Sequence, residues 1–196
     1  MSDDRPPVRT GWDAQLDEYL RLGAWLRDAG DLVAAAADLL LRSLGDGGRI
    51  LACGNGGSSL EAQHFTAELV GRFRLERRPL AGIALSADGG AVTGIANDYG
   101  YDQAFARQIH ALGRPGDALL ALSTSGRSPS AVAAAEAARE LGLRTVALTG
   151  EGGGPLAPLA DVAIRVPSTS TARIQEVHLL VIHLICERID AAYVDA

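Results

Sequence analysis

Cysteine is scarce in this sequence, which has two among its 196 residues, Cys53 and Cys186. So few cysteines exclude a disulfide framework, and because both lie in apolar segments we expect two buried thiols in a reducing compartment. No apolar run approaches the roughly 20 residues that a membrane-spanning helix needs. The first ten residues, MSDDRPPVRT, lack the apolar stretch of a signal peptide. These absences predict a cytoplasmic protein that does not enter a membrane.

Basic residues are outnumbered by acidic ones. The chain has 18 Lys and Arg against 24 Asp and Glu, a net charge of −6, and no basic block, so composition gives no support for a nucleic-acid surface. Nucleotide motifs are missing as well. No Gly-Lys-Ser/Thr segment of a phosphate-binding Walker loop is present, and the spacing of Gly54, Gly56 and Gly57 does not match a dinucleotide-binding fingerprint. The chemistry must therefore be sought in other motifs.

Five short apolar runs alternate with helical patterns along the chain. Apolar strands separated by helices predict a parallel sheet that is covered on both faces. Two helical patterns come first, at 12–29 and 32–44, and Asp31 is the expected N-cap of the second. We expect residues 1–10 to be a disordered lead-in and residues 11–196 to form one α/β domain, a doubly wound five-stranded parallel sheet with two N-terminal helices. The predicted strands are 50–53, 82–86, 118–122, 145–149 and 162–166.

The two N-terminal helical patterns are apolar over much of their circumference. An apolar surface of this breadth indicates that the two helices are buried against something more than their own domain, and subunit contact is the preferred explanation. Contact with another subunit explains it, and so does a large core within one subunit. The sequence leaves both explanations open.

A glycine-rich turn, residues 54–59, follows the first predicted strand and leads into a helix predicted from 60 to about 70. Free N–H groups in such a turn, with the positive end of the helix dipole, form a site for an anionic or hydroxyl-rich ligand. On the helix, His64 and Glu68 lie one turn apart on one face, and Arg72 continues the stripe. A packing turn and a solvated helix face are the alternative interpretations.

A second polar loop, residues 123–130, follows the third predicted strand. Four hydroxyl side chains surround its glycine: Ser123, Thr124, Ser125 and Ser128. Hydroxyls and free N–H groups just before a helix can hold a phosphate dianion without a lysine. Ligands of doubly wound sheets bind at the carboxyl ends of the strands, where both loops are expected. The alternative is a serine-rich helix cap.

The last helical pattern carries Gln175 and His183. Neutral imidazole is the commonest protein ligand for zinc-like metals, and a His/Glu pair already exists elsewhere in the chain. Gln175 and His183 are separated by about 12 Å along a regular helix, so both reach one ion only through a bend, a long reach or another subunit. A hydrogen-bonded core histidine is the alternative for His183, and His110 is interpreted as structural.

Five segments, in this order and spacing, resemble the phosphoheptose isomerases, which are sugar-isomerase (SIS) domain proteins: CGNGGSS, AQHFTAELVGRF, GIANDYGYDQAF, LSTSGRSPS and RIQEVHLLVIHLICE. The resemblance extends from about residue 12 to about residue 190. It implies a five-stranded parallel sheet and a homotetramer with active sites between subunits, packed in part through residues 11–45. It also implies conversion of D-sedoheptulose 7-phosphate to D-glycero-D-manno-heptose 7-phosphate, the first step of nucleotide-activated heptose biosynthesis.

The resemblance implies site residues too. One zinc ion per subunit would be held by His64, Glu68, Gln175 and His183. The acid/base pair would be Glu68 and His183. The substrate would be bound by Asn55, Gly56, Gly57, Ser58, Glu68, Arg72, Asn97, Asp98, Ser123, Thr124, Ser125, Ser128 and Gln175. Glu61 departs from the Asp that the family usually has there, and we assign it no role.

The chemistry of an aldose–ketose isomerase fits these residues. A base must take a proton from the carbon beside a carbonyl, which suits Glu68, and an acid or a metal must stabilise the enediolate. His183 would move the proton at the oxygens. The alternatives are a non-catalytic SIS protein, such as the replication-initiator-binding relatives, an isomerase of another phosphosugar, and a phosphosugar sensor. The retained His64, Glu68, Gln175 and His183 argue against the first.

Overall fold

The structure is a computed structural model that describes residues 11–194. The predicted lead-in, residues 1–10, lies outside the described residues. Within residues 11–194, seven helices and five strands follow one another, with 3-10 turns at Tyr101–Gln103 and Ala157–Leu159. In chain order they are α1 (Trp12–Asp28), α2 (Gly30–Gly45), β1 (Ile50–Gly54), α3 (Gly57–Val70), β2 (Gly82–Ala84), α4 (Gly89–Tyr99), α5 (Ala106–Leu112), β3 (Ala118–Ser123), α6 (Pro129–Glu140), β4 (Arg144–Gly150), β5 (Val162–Val166) and α7 (Thr171–Tyr193).

The five strands form one parallel sheet in the order β2-β1-β3-β4-β5. Ile50 of β1 is paired with Gly82 on one side and with Ala118 on the other. Every residue of β1 and β3 is buried, because helices cover both faces of the sheet. The order reverses between β1 and β3, so the predicted doubly wound five-stranded sheet is confirmed. A ligand crevice is expected at that reversal, beside the carboxyl ends of these strands.

Two apolar cores lie on opposite faces of the sheet. The larger is formed with α1, α2, α3 and α7, and it includes Phe65, Leu120 and Ile182. The smaller is formed mainly with α5 and α6, and it includes Phe105 and the alanine face of α6. Because α3 and α7 pack against each other on the same side of the sheet, polar residues far apart in sequence meet between them.

Several predicted boundaries were wrong for local reasons. The helix predicted from residue 60 begins at Gly57, because Gly56 adopts a φ of 55° and turns the chain into the helix early. Asp31 is not an N-cap: α2 already begins at Gly30, and Asp31 lies in its first turn. These differences leave the order of elements unchanged.

The two N-terminal helices bury their apolar surfaces differently. α2 has seven buried residues and packs into the larger core, so a large core explains its composition. α1 buries Leu22 and Leu26, whereas Leu16, Tyr19 and Leu20 are 58%, 42% and 67% exposed. The outer face of α1 therefore presents apolar side chains that the described part of its own chain does not cover.

Cys53 and Cys186 are free and buried, as predicted. Burial raises the pKa of both thiols to about 12, so neither is a reactive thiolate near neutral pH. Across residues 11–194, none of the helices combines the length and the apolar character that crossing a membrane requires.

Candidate active site

The turn between β1 and α3 is built by glycines. A Cβ at Gly54 would lie 2.5 Å from the carbonyl oxygen of Ser58, so the strand end and the first helical turn approach too closely for a side chain. Gly56 has a φ that other residues rarely adopt. Among the described residues no side chain caps α3, so its positive end faces the turn. This arrangement matches the tight glycine turn that the sequence predicts for residues 54–59.

Both polar atoms of the Asn55 side-chain amide form hydrogen bonds. Its Oδ1 accepts a hydrogen bond from the hydroxyl of Tyr101 at 2.8 Å, and its Nδ2 donates to Ser130 Oγ at 3.0 Å. The two partners come from the turn after α4 and from the first turn of α6. Sequence reasoning gave neither a role, although both lie in the quoted family segments. Tyr101 and Ser130 therefore fix the amide that the resemblance assigns to the substrate.

Ser58 lies buried in the first turn of α3. The residue is buried, and its hydroxyl is hydrogen bonded to the carboxyl of Glu61 one turn later. Burial raises the pKa of Glu61 to about 7, and the hydrogen bond from Ser58 opposes the rise. Glu61 Oε2 has no hydrogen-bond partner within the described part of the chain. The hydroxyl of Ser58 is thus engaged within α3, and Glu61 is a buried acid beside the glycine turn.

Two imidazoles and a carboxylate meet between α3 and α7. His64 Nε2 lies 2.9 Å from His183 Nε2 and 3.5 Å from Glu68 Oε1. Phe73, which follows α3, stacks on the His183 ring with centroids 5.2 Å apart and an interplanar angle of 23°. Partial burial, and then the neighbouring His64, lower the pKa of His183, while Glu68 opposes the shift. His183 is therefore a neutral imidazole at neutral pH, able to donate or accept one proton.

The donors of this cluster are those that zinc takes in proteins: imidazole nitrogen and carboxylate oxygen. Two nitrogens bound to one tetrahedral zinc lie about 3.3 Å apart, against the 2.9 Å found between His64 and His183. Within residues 11–194 no three or more His, Cys, Asp or Glu side chains are arranged to hold a metal ion. The residue types fit zinc, and binding would require the two imidazoles to separate slightly.

Gln175, the fourth predicted ligand, lies at the glycine turn. Its amide packs on Gly57, where an added Cβ would be 2.5 Å from Gln175 Nε2. Gly57 precedes His64 by seven residues, about 10 Å along the axis of α3. Three of the four predicted ligands therefore lie together, and the fourth lies further toward the N-terminal end of α3.

The predicted phosphate loop adopts a tight turn before α6. Ser123 Oγ and Ser128 Oγ are 3.0 Å apart, and Ser125 Oγ accepts the N–H of Arg127 at 3.1 Å. Gly126 has a φ of 63°, and a Cβ there would lie 2.1 Å from a carbonyl oxygen of the neighbouring loop. A cavity of about 260 Å³ opens beside this turn. Its hydroxyl-bearing lining residues are Thr124, Ser125, Ser168, Thr169 and Thr171.

Three other predicted substrate contacts lie on the surface of the single chain. Arg72 is exposed and pairs with Glu76, Nε to Oε2, at 3.4 Å. Asn97 and Asp98 lie in the last turn of α4, and the amide of Asn97 donates to the carboxylate of Asp98 at 2.8 Å. Within residues 11–194, none of these three side chains forms a hydrogen bond or an ion pair with His64 or His183.

His110 forms an exposed pair with Glu140, Nε2 to Oε2, at 3.2 Å. This contact joins α5 to the end of α6 and leaves the imidazole outside the cluster. It agrees with the structural interpretation of His110.

The sheet order and the two polar loops define a doubly wound α/β domain, a fold that binds ligands at the carboxyl ends of its strands. A family model for the SIS domain matches residues 21–150, and the chain is an SIS-domain protein. Among curated proteins, the phosphoheptose isomerase of Shewanella sediminis is 58% identical over 161 residues, which are 81% of this chain and 82% of that protein. The chain belongs to the phosphoheptose isomerase family.

Solved structures agree with this assignment. A phosphoheptose isomerase from Francisella tularensis matches with a TM-score of 0.91 at 38% identity, covering 95% of this chain and 100% of that one. The phosphoheptose isomerase of Neisseria gonorrhoeae matches with a TM-score of 0.89 at 42% identity, covering 94% of this chain and 100% of that one. The likeness therefore extends over the whole SIS fold.

Proposed function

We propose that the chain catalyses the aldose–ketose isomerisation of D-sedoheptulose 7-phosphate to D-glycero-D-manno-heptose 7-phosphate, the first step of nucleotide-activated heptose biosynthesis. The observation that carries the proposal is the contact of His64 with Glu68 and His183 in a chain 58% identical to a phosphoheptose isomerase. A protein whose function is only to bind a phosphosugar needs no acid/base cluster, and neither does a protein that only binds a replication initiator. The enzyme is therefore the favoured interpretation.

The isomerisation moves one proton between neighbouring carbons. Glu68 takes the proton from the carbon beside the ketose carbonyl and returns it to the former carbonyl carbon, which yields the aldose. His183, a neutral imidazole, transfers the accompanying proton between the two oxygens. Phe73 stacks on its ring and so limits its rotation. Glu68 therefore transfers the proton between the carbons, and His183 transfers the proton between the oxygens.

The phosphate is expected at the loop of Ser123, Thr124, Ser125 and Ser128, before the N-terminus of α6. Hydroxyl donors and the positive end of a helix bind a dianion and so orient the sugar for the distant proton transfer. Tyr101 and Ser130 hold the amide of Asn55, which we propose as the partner of a sugar hydroxyl. The remaining proposed substrate contacts are Gly56, Gly57, Ser58, Arg72, Asn97, Asp98 and Gln175.

We also propose one zinc ion per subunit, held by His64, Glu68, His183 and Gln175, on the strength of their donor types. Bound there, zinc would polarise the substrate carbonyl. The position of Gln175 at the glycine turn favours a site completed by a second subunit. The exposed apolar face of α1, with Leu16 and Leu20, supports a homotetramer. The two free cysteines support a cytoplasmic location.

The test is isomerisation of sedoheptulose 7-phosphate by purified protein, before and after chelation, with added zinc as the rescue. We expect turnover that chelation abolishes and zinc restores. Turnover indifferent to chelation would remove the metal from the proposal and keep the isomerase. No turnover, with sugar phosphate still bound, would replace the enzyme by a sensor.

A pair of variants assigns the base. Glu68→Gln removes the proposed base and should retain phosphosugar binding while losing turnover. Glu140→Gln changes an exposed carboxylate whose recorded partner is His110, and it should leave turnover unchanged. Equal activity in the two variants would contradict the role of Glu68.

A further inference from the structure

A fully buried ion pair joins α7 to the α3–β2 loop, residues 71–81. Arg77 Nε lies 2.7 Å from Asp190 Oδ1, and each side chain is 1% exposed. Neither residue belongs to the proposed catalytic cluster. Removing two charges from water is expensive, and a buried pair is by itself weak evidence for stability. The position of this pair therefore calls for another explanation.

The guanidinium of Arg77 caps the C-terminal end of α3. Its Nη2 donates to the carbonyl of Glu68 at 2.6 Å, and its Nη1 donates to the carbonyl of Leu69 at 3.0 Å and to that of Gly71 at 3.3 Å. Carbonyls in the last turn of a helix have no intrahelical partner, and that turn frays unless something binds them. A cation at this end also interacts favourably with the helix dipole. The last turn of α3 is the one that carries Glu68.

The carboxylate of Asp190 fixes the other side of the loop. Its Oδ2 accepts the backbone N–H of Arg74 at 2.7 Å and that of Leu75 at 2.9 Å. Burial works against its charge, but these two N–H groups and Arg77 outweigh burial and hold the pKa of Asp190 below its usual value. The residue just before these two N–H groups is Phe73, which stacks on His183. Asp190 thereby fixes the backbone that presents the ring.

We propose that Arg77 and Asp190 are positioning residues that hold Glu68 and His183 in the geometry needed for proton transfer. This inference rests on the proposed isomerase function. Arg77 binds the backbone of Glu68, and Asp190 binds the loop that places Phe73 on His183. Asp190 lies seven residues after His183, on the same face of α7. One ion pair therefore holds the backbone of Glu68 on one side and the loop that contacts His183 on the other.

The chain offers a matched control. Arg74 and Glu187 form a second ion pair between the same loop and the same helix, Nη1 to Oε1 at 2.7 Å, but their side chains are 65% and 54% exposed. Within the described residues, their side chains bind neither the end of α3 nor the backbone beside Phe73. The two pairs share charge, distance and sequence neighbourhood, and they differ in burial and in what they hold.

The experiment compares two double variants. Arg77→Met with Asp190→Leu removes the buried charges while keeping apolar volume, and it takes away the side-chain partners of three carbonyls and two backbone N–H groups, so we expect some loss of stability. Arg74→Met with Glu187→Leu does the same at the exposed pair. We expect the first to fold and to lose about 10- to 100-fold in kcat, as misplacement of catalytic groups does, with KM changed less than about twofold. The control should keep the wild-type kcat.

A second readout does not depend on activity. The chain has four histidines, so the ring resonances of ¹⁵N-histidine-labelled protein can be assigned by substitution. We expect the His183 signal to move in the buried-pair variant and to stay in the control, with exposed His110 as the internal reference. If wild-type protein shows no isomerase activity, the proposed function fails, and the His183 signal still decides the positioning role.

Three results would overturn the inference: an unchanged kcat in the folded buried-pair variant, an equal loss in the control, or an unmoved His183 resonance. If the buried-pair variant does not fold, Arg77→Lys decides instead. Lysine keeps the charge beside Asp190 but lacks the planar fork that reaches several carbonyls at once. Full kcat in Arg77→Lys would contradict positioning through the end of α3, and a kcat loss with unchanged KM would support it.

Discussion

Replacing Glu61 by Gln should stabilise the protein above neutral pH. The residue is 9% exposed, and its Oε2 is buried without a hydrogen-bond partner among residues 11–194. Its neighbour Ser58 supplies a hydrogen bond, which an amide oxygen can accept equally well. An ionised carboxylate at this position is therefore poorly solvated, and the amide removes the charge while keeping the shape.

The magnitude follows from the raised pKa of Glu61. Burial raises it from 4.5 to about 7, and each pKa unit corresponds to about 1.4 kcal/mol. The full effect would be about 3 kcal/mol, and partial access to water reduces our expectation to about 2 kcal/mol. For a chain of this length, that gain raises the melting temperature by about 4–8 °C.

The direction of the pH dependence is fixed by the raised folded-state pKa. Above about pH 7 the carboxylate is charged in both states, so the folded state bears the whole penalty. Below about pH 4.5 the group is protonated in both states, and the penalty is absent. The advantage of Glu61→Gln should therefore be largest near pH 8 and should have mostly disappeared at pH 5.

The assay is thermal or urea denaturation of wild type, Glu61→Gln and Glu76→Gln at pH 8 and pH 5, followed by circular dichroism. Glu76 is the control because its side chain is 88% exposed. If the Glu61→Gln variant were stabilised equally at the two pH values, or were less stable than wild type at pH 8, the reasoning would be refuted.

Two further predictions test the loops around the site. Gly126→Ala should destabilise the fold by about 2 kcal/mol or more, because it adds a Cβ at positive φ that clashes with a neighbouring carbonyl. Gly152→Ala is the control, since a Cβ there meets nothing within 4 Å in the described part of the chain. Equal urea midpoints for the two variants would contradict this prediction. Tyr101→Phe removes the hydroxyl that holds Asn55 and should weaken substrate binding by about 1 kcal/mol, seen as a roughly fivefold rise in KM, while Tyr99→Phe should not. An unchanged KM in Tyr101→Phe would mean that Asn55 needs no such support.

Features that depend on sequence neighbours were predictable from the sequence. Short apolar runs predict the five strands, because a strand buried on both faces must be apolar along its length. His64 and Glu68 meet because the helical repeat brings residues four apart onto one face. Gly54 and Gly56 mark the turn because only glycine suits a close approach or a positive φ. Local geometry alone fixes each of these.

Only the tertiary structure decides which distant residues meet. His183 reaches His64 across 119 residues because the doubly wound sheet lays α7 beside α3. The same packing buries Asp190 against Arg77, although nothing in the spacing of either residue distinguishes it from the exposed charges nearby. It also covers α2 and leaves the outer face of α1 exposed, whereas the sequence left open what covers either helix. Burial and long-range pairing are properties of the packed chain, because they depend on how whole elements are placed and not on the order of residues within one element.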